Sequence, residues 1–288
     1  MKKFFFKKNK YGYFQVSNPP TSLELKKYYR DKYFNINPRY AEKTKDFEEE
    51  YFKNQSLIKF NFIKKYLKKK PNVLDLGAGT GRFIYYISKF SNKVVGVDFS
   101  NKQLKYKLNT NTNFISEEPI EYISKSNNFN FQIITLNNII EHALEPTKIF
   151  TELKKKITKK ALVLVSLPND FSKLQMYLNQ NKLIKKKYWL SYPDHLNYFN
   201  SQNFKKYINS IGFKIIDAIA DFPIELLLFE KNFNYIEKPI GKNAHSLRCH
   251  FVNYLCRTHN MNDIINFFKS LYLNDIGRNN YFLLKKNE

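Results

Sequence analysis

Apolar residues recur along this chain in two rhythms. From residue 72 onward, short apolar runs alternate with stretches in which apolar side chains return every three or four positions. This is the pattern of strands and helices taking turns around a parallel sheet. The runs predict seven strands, at 72–76, 93–97, 113–116, 131–136, 161–166, 213–218 and 281–284. Between them, Phe83, Ile84, Ile87 and Phe90 share one helical face, as do Ile149, Phe150, Leu153 and Ile157 behind Pro146. A third helix, 201–211, has a serine start, Phe204, Tyr207, Ile208 and Ile211 inward, and Gly212 as its stop. Upstream, Phe47, Tyr51, Ile58, Phe62, Ile63 and Tyr66 predict a helix over 45–67 that Pro71 ends. Thr21 is placed to cap a short helix through Leu25 and Tyr29. The expected class is α/β, a doubly wound, mostly parallel seven-stranded sheet.

The stretch 222–278 carries helical patterning at Ile264, Ile265, Phe268 and Leu271 and is too long for a structureless loop. We expect an N-terminal extension over 1–45, a core over 46–221, a helical insertion over 222–278 serving as a lid, and a last core strand within 279–288. No internal repeat is visible. The longest apolar stretch in the C-terminal half, 222–229, contains Glu225, so no membrane span is expected. The start MKKFFFKKNK is too short in apolar residues for a signal peptide. Cys249 and Cys256 form no CxxC pair, which suits a reduced cytoplasm and encodes no zinc module; no metal is expected.

A net charge of +24 ordinarily points to nucleic acid or an anionic membrane. Here the surplus is lysine: 43 Lys accompany only 6 Arg, alongside 35 Asn, 27 Phe and 21 Tyr against 7 Ala. That bias follows AT-rich codons, and the residue that reads phosphates and bases bidentately is the scarce one. A nucleic-acid partner is therefore not expected.

The strongest local signal is VLDLGAGTG at 73–81, a buried strand running into a glycine turn and then a helix. Gly77, Gly79 and Gly81 let a ligand approach the backbone, while Arg82 stands where a dinucleotide loop carries its third glycine. Asp75 beside the loop disfavours a pyrophosphate and suits an ammonium, directly or through water. Asp98, at the end of VVGVD, is placed to accept both hydroxyls of a ribose. An amino acid and a nucleoside together describe S-adenosylmethionine.

Five pieces in order, DLGAGTG (75–81), VVGVDFS (94–100), FQIITLNNIIEHALEP (131–146), VLVSLPN (163–169) and DHLNYFNSQNFKKYINSIGF (194–213), resemble the class I S-adenosylmethionine-dependent methyltransferases over about half of the chain. Gln132 departs from the usual Asp. The resemblance implies a Rossmann-like sheet whose last strand is antiparallel, with S-adenosyl-L-methionine as cofactor. It implies that Gly77, Gly79 and Gly81 back the methionine part, Asp98 holds the ribose, and Phe99 packs on the adenine. Ser116 and Glu117 fall where the family meets the adenine edge, and Asn137 and Asn138 where it meets the sulfonium and the acceptor.

A hydroxyl acceptor needs its proton removed, which suits a neutral imidazole. His142 and His195 both reach the carboxyl-end cleft in this reading and are the candidate catalytic groups, while Tyr198, beside His195, is a candidate acceptor contact. His245 and Arg248 in the insertion are candidates to hold an anionic part of the acceptor. The N-terminal YGYFQVSNPPTSLELKKYYRDKYFN (11–35) resembles segments preceding the core in methyltransferases of surface-glycan and capsule clusters. This points to O-methylation of a sugar, nucleotide-sugar or other small polar acceptor. The competing classes are an RNA or tRNA methyltransferase and a non-catalytic nucleotide binder on the same fold.

Overall fold

A computed structural model describes residues 5–29, 44–99, 104–127 and 129–287. Ser100 of the second motif and residues 30–35 of the N-terminal segment lie outside the described residues. The central sheet comprises β3 (Asn72–Leu76), β4 (Lys93–Asp98), β5 (Thr112–Ser116), β6 (Ile133–Asn137), β7 (Leu162–Pro168), β9 (Phe213–Ala220) and β10 (Asn279–Lys286). Its strand order is β5-β4-β3-β6-β7-β10-β9. The first five are mutually parallel, and β10 runs antiparallel between β7 and β9. The seven expected strands are all present, each within a few residues of its expected ends.

Helices cover both faces, so the parallel strands are apolar on both sides, as β7 shows in LVLVSLP. On one face lie α4 (Pro119–Lys125), α5 (Pro146–Lys156) and α7 (Ser201–Ser210), with Phe150, Leu153, Phe204 and Ile208 packed on Val163, Val165 and Phe282. On the other lie α2 (Asp46–Lys64), α3 (Arg82–Ser88), α8 (Gly241–Thr258) and α9 (Met261–Leu273), with Ile58, Phe62, Ile84, Val252 and Phe268 on Val73, Leu162 and Leu283. Two expected inward residues lie elsewhere. Tyr66 is beyond the end of α2 and Phe90 beyond the end of α3, 40% and 42% exposed.

The insertion is corrected in role. Its two long helices are core elements: α8 packs on α2, and α9 on β9 and α2, with Cys249, Val252 and Phe268 fully buried. An apolar stripe on a helix marks burial without saying against what, so the sequence could not separate a lid from a core layer.

The N-terminal extension is more ordered than its weak periodicity suggests. β1 (Phe6–Lys8) and β2 (Phe14–Val16) form a hairpin that β8 (Asn197–Tyr198) joins as a third antiparallel strand. α1 (Ser22–Tyr28) follows, with Thr21 and Glu24 completing a capping box. Leu25 anchors it against Val16, Leu196 and Tyr198. α6 (Lys173–Gln180), capped by Ser172, fills out a smaller cluster around Trp189.

Candidate active site

The order of strands reverses between β3 and β6, and the crevice at their carboxyl ends is where ligands bind doubly wound sheets. The glycine turn stands there. Gly77, Gly79 and Gly81 have φ of 75°, 53° and 77°, a region costly for any residue with a Cβ. A Cβ on Gly77 would run into Ile139, whereas one on Gly79 would meet nothing within 4 Å, so the loop is open to a ligand at Gly79. Asp98 Oδ2 accepts from the Gly79 amide at 2.9 Å, tying the second acid to the loop.

Asp75 lies behind the turn, 2% exposed. Its Oδ1 accepts from Thr135 Oγ1 at 2.5 Å and Asn137 Nδ2 at 3.1 Å. Burial pushes its pKa up to about 6 against those hydrogen bonds and the pull of Lys59. Lys59, on α2, donates to Asn137 Oδ1 at 3.0 Å and lies 4.6 Å over the Tyr281 ring. Burial lowers its pKa to about 8, with Asp75, Asp221 and Glu141 opposing. Ser166 Oγ also donates to Asn137 Oδ1 at 3.0 Å, so this amide joins β3, β6, β7 and α2.

Across the crevice the loop after β6 brings Glu141 and His142 beside His195. One ligand-type atom from each lies within 4.8 Å of the others. The His142 and His195 rings are 5.0 Å apart, edge to face. His142 Nδ1 is 2.5 Å from the carbonyl of Asp194, and Tyr29 OH is 3.2 Å from the same nitrogen. Asn138, at φ 56°, donates to Glu141 Oε1 at 3.0 Å. Burial, followed by His142 and Arg278, holds His195 well below the usual imidazole value. Beyond it Asp170, 1% exposed, is pushed up to about 7 by burial while Arg278 Nη1 donates to its Oδ1 at 3.1 Å. Arg278 Nε also lies 3.4 Å from Glu225 Oε1.

Helix α1 roofs this region. Tyr28 OH donates to Asp194 Oδ1, and the Tyr29 ring stands 6.3 Å from Phe99 and 6.1 Å from His142. Both ends of the chain thus reach this region among the described residues, α1 through Tyr28 and Tyr29 and the expected insertion through Glu225 and Arg278.

The structure thus brings Asp75, Gly77, Gly79, Gly81, Asp98, Phe99, Asn137, Asn138, His142 and His195 to one edge of the sheet. Ser116 and Glu117 end β5 next to Asp98, whose carbonyl accepts from the Glu117 amide at 2.9 Å. Three expected acceptor contacts are corrected. Tyr198 is 0% exposed, and its hydroxyl donates to the His195 carbonyl at 3.0 Å, so it supports the histidine from behind. His245 and Arg248 are neighbours on α8, 2.7 Å apart, with His245 Nε2 3.6 Å from Glu48. The Arg248 guanidinium lies 5.4 Å over Tyr51 and serves as counter-charge to buried Asp221. His245 meets Glu48 within the α2–α8 layer, and Arg248 spans from Tyr51 of α2 to Asp221 just past β9.

Sequence reasoning missed Glu141, Lys59, Asp170, Arg278 and Tyr29. Glu141 precedes the histidine that was chosen, and Lys59 interrupts the apolar stripe at helical spacing from Gln55, Phe62 and Ile63. Asp170, Arg278 and Tyr29 carry no local signal, since they reach the site only through the fold.

A doubly wound sheet of this order, with a glycine cradle and an acid at the tip of the adjoining strand, defines the class I S-adenosylmethionine-dependent methyltransferases. Residues 47–218 match the methyltransferase-domain family, well over half of the chain, and the chain belongs to that family. Among curated proteins it is 25% identical over 179 residues to a tRNA U34 carboxymethyltransferase of Campylobacter jejuni, covering 58% of each. The chain thus spans little more than half the length of the curated relatives it matches. Among solved structures, a SAM-dependent methyltransferase from Archaeoglobus fulgidus superposes with a TM-score of 0.54 at 15% identity, over 89% of this chain and 100% of the other. The plantazolicin methyltransferase BamL, in complex with a desmethyl-plantazolicin analogue and S-adenosylhomocysteine, gives 0.55 at 17% identity over 92% and 95%. No helix among the described residues is long and apolar enough to cross a membrane.

Proposed function

We propose that the protein methylates an oxygen of a small polar acceptor, such as a sugar or nucleotide-sugar of surface-glycan biosynthesis. S-adenosylmethionine supplies, when bound, a methyl group on a sulfonium ready for in-line displacement. The chain fits that cofactor at the open Gly79 backbone, with Asp98 for the ribose hydroxyls and Phe99 for the adenine. Ser116 and Glu117 stand on the adenine side of the cradle, and Asn137 and Asn138 between cradle and acceptor. The acceptor lies against Glu141, His142 and His195, which orient its hydroxyl by hydrogen bonds. Orientation of the nucleophile is the main task a methyl displacement leaves to the protein.

The observation that carries the small-acceptor reading is the roof: Tyr28 and Tyr29 close the acceptor side through Asp194 and His142. A few placed polar groups beside aromatic rings suit a compact hydroxylated ligand. Incubation with radiolabelled S-adenosylmethionine and either nucleotide sugars or total RNA tests this. Label in the small-molecule fraction supports it, and label in RNA alone replaces it with the second reading. That reading, a tRNA modification, is favoured by the C. jejuni relative named for tRNA U34 and by the charge of +24.

A further inference from the structure

We propose that Glu141, His142 and His195 form a binding site for one divalent transition-metal ion on the acceptor side of the crevice. Two imidazole nitrogens and a carboxylate oxygen lie within 4.8 Å of one another, so side-chain adjustments of roughly an ångström bring all three to ligand bonds of about 2.0–2.2 Å on a single ion. The hydrogen bonds around the triad favour a site over a chance cluster. A carbonyl can only accept, so His142 Nδ1, at 2.5 Å from Asp194 O, carries the proton. Its Nε2 therefore keeps the lone pair, 3.9 Å from Glu141 Oε1. A ring N–H held by a backbone carbonyl, with the other nitrogen unprotonated, is the arrangement that metal-ligating histidines show.

His195 faces a second carboxylate across a wider gap. Its Nδ1 lies 4.0 Å from Asp170 Oδ2, and both atoms are buried without a hydrogen-bond partner. The Asp170 carboxylate is steadied on its other oxygen by Arg278. The carboxylate ligand is likewise half satisfied: Asn138 fills Glu141 Oε1, while Oε2 is buried with no partner in a side chain 1% exposed. Leaving a buried carboxylate oxygen unpaired is costly, and a bound cation offsets that cost.

The donor set selects the ion class. Imidazole suits Zn²⁺, Fe²⁺, Ni²⁺ and their neighbours, whereas Mg²⁺ and Ca²⁺ prefer an all-oxygen shell, and no thiolate stands in the triad. Three protein ligands leave positions open for oxygens of an acceptor or water. The ion site stands on its own geometry, and only the role of holding an acceptor hydroxyl rests on the methylation proposed above.

The test uses the full chain, untagged, stripped with chelator and titrated with Co²⁺ in the absence of cofactor and acceptor. The expected result is one Co²⁺ per chain with visible d–d bands of imidazole ligation. His142→Ala and Glu141→Gln are each expected to weaken binding on the order of a hundredfold, and Asp170→Asn about tenfold, by the scale of lost ligands and their supports. S-adenosylhomocysteine affinity within twofold of the parent certifies that each variant is folded, and if His142→Ala fails this, Glu141→Gln carries the test. His259→Ala, on the surface end of α8, is expected to leave binding unchanged. No stoichiometric Co²⁺ binding by the parent, or equal binding by the Glu141 variant, overturns the site. Because no acceptor is present, neither result depends on which molecule is methylated.

Discussion

Asp75 and Asp98 stand on neighbouring strands beside the same glycine turn, yet the fold treats them differently. Asp98 meets the Gly79 amide at the mouth of the crevice, where a ribose would compete for its oxygens. Replacing it with Ala is expected to weaken S-adenosylhomocysteine binding by roughly 1.5 to 3 kcal/mol, for the loss of charge-assisted hydrogen bonds. Calorimetry showing parental affinity would remove Asp98 from the site. Asp75 is buried behind the turn on Thr135 and Asn137 at an electrostatic cost. Its folded pKa of about 6 lies above the 3.8 of the model carboxyl, so between those values the folded chain keeps a proton that the unfolded chain has released. Its contribution to stability therefore falls as pH rises from about 4 to 6 and stays unfavourable above, by a net amount on the order of 3 kcal/mol with Lys59 and the hydrogen bonds already opposing the effect of burial. Asp75→Asn cannot ionise. Urea unfolding at several pH values is expected to show the variant gaining on the parent across that window; parallel curves would mean the carboxyl does not titrate there.

At the scale of elements, the helices of 222–278 belong to the packed layer on which the sheet rests. Phe268 of α9 is fully buried against the sheet, so Phe268→Ala is expected to cost about 3 to 5 kcal/mol by the transfer-plus-cavity rule. A lid residue would cost far less, and a small change in the denaturation midpoint would restore the lid reading. A second device joins the same elements. Asp217 on β9 takes Lys65 at 2.7 Å, from just past α2, and Lys269 of α9 at 2.9 Å, with Tyr66 OH at 2.8 Å. Burial alone would raise this carboxyl, but Lys65, Lys269 and Tyr66 outweigh it and hold the pKa at about 2. A depressed carboxylate stabilises above its unfolded value and loses that contribution as pH falls through the folded one. Asp217→Asn is therefore expected to cost about 1 to 2 kcal/mol at pH 7, discounted for the exposed lysine ends, and progressively less from pH 4 towards pH 2. A pH-independent deficit would assign its effect to packing.

For the whole molecule, the question is whether a charge of +24 serves recognition. A phosphate-binding surface loses affinity steeply with salt, by a power set by the number of contacts neutralised. Transfer to a small acceptor in an enclosed site has no such dependence. Activity on a nucleotide sugar is expected to change less than about threefold between 50 and 200 mM salt, since so small an anion carries no condensed counterions to release and its charges are only modestly screened. A fall of several orders of magnitude would move the assignment towards RNA.

The alternation of strand and helix, the glycine turn and Asp98 were legible in the chain because each is a local pattern. A strand buried on both faces needs a continuous apolar run, and a tight ligand-binding turn needs residues without a Cβ. The class of fold and its cofactor cradle follow from such runs and turns. Contacts distant in sequence left no such trace. Tyr29 reaches His142 across 113 positions, and Arg278 reaches Asp170 across 108. Whether an apolar helix is lid or core, and whether Glu141, His142 and His195 meet, depends on where the sheet sets down elements remote in sequence. Periodicity reports that a face is buried, and only the tertiary structure decides what it is buried against.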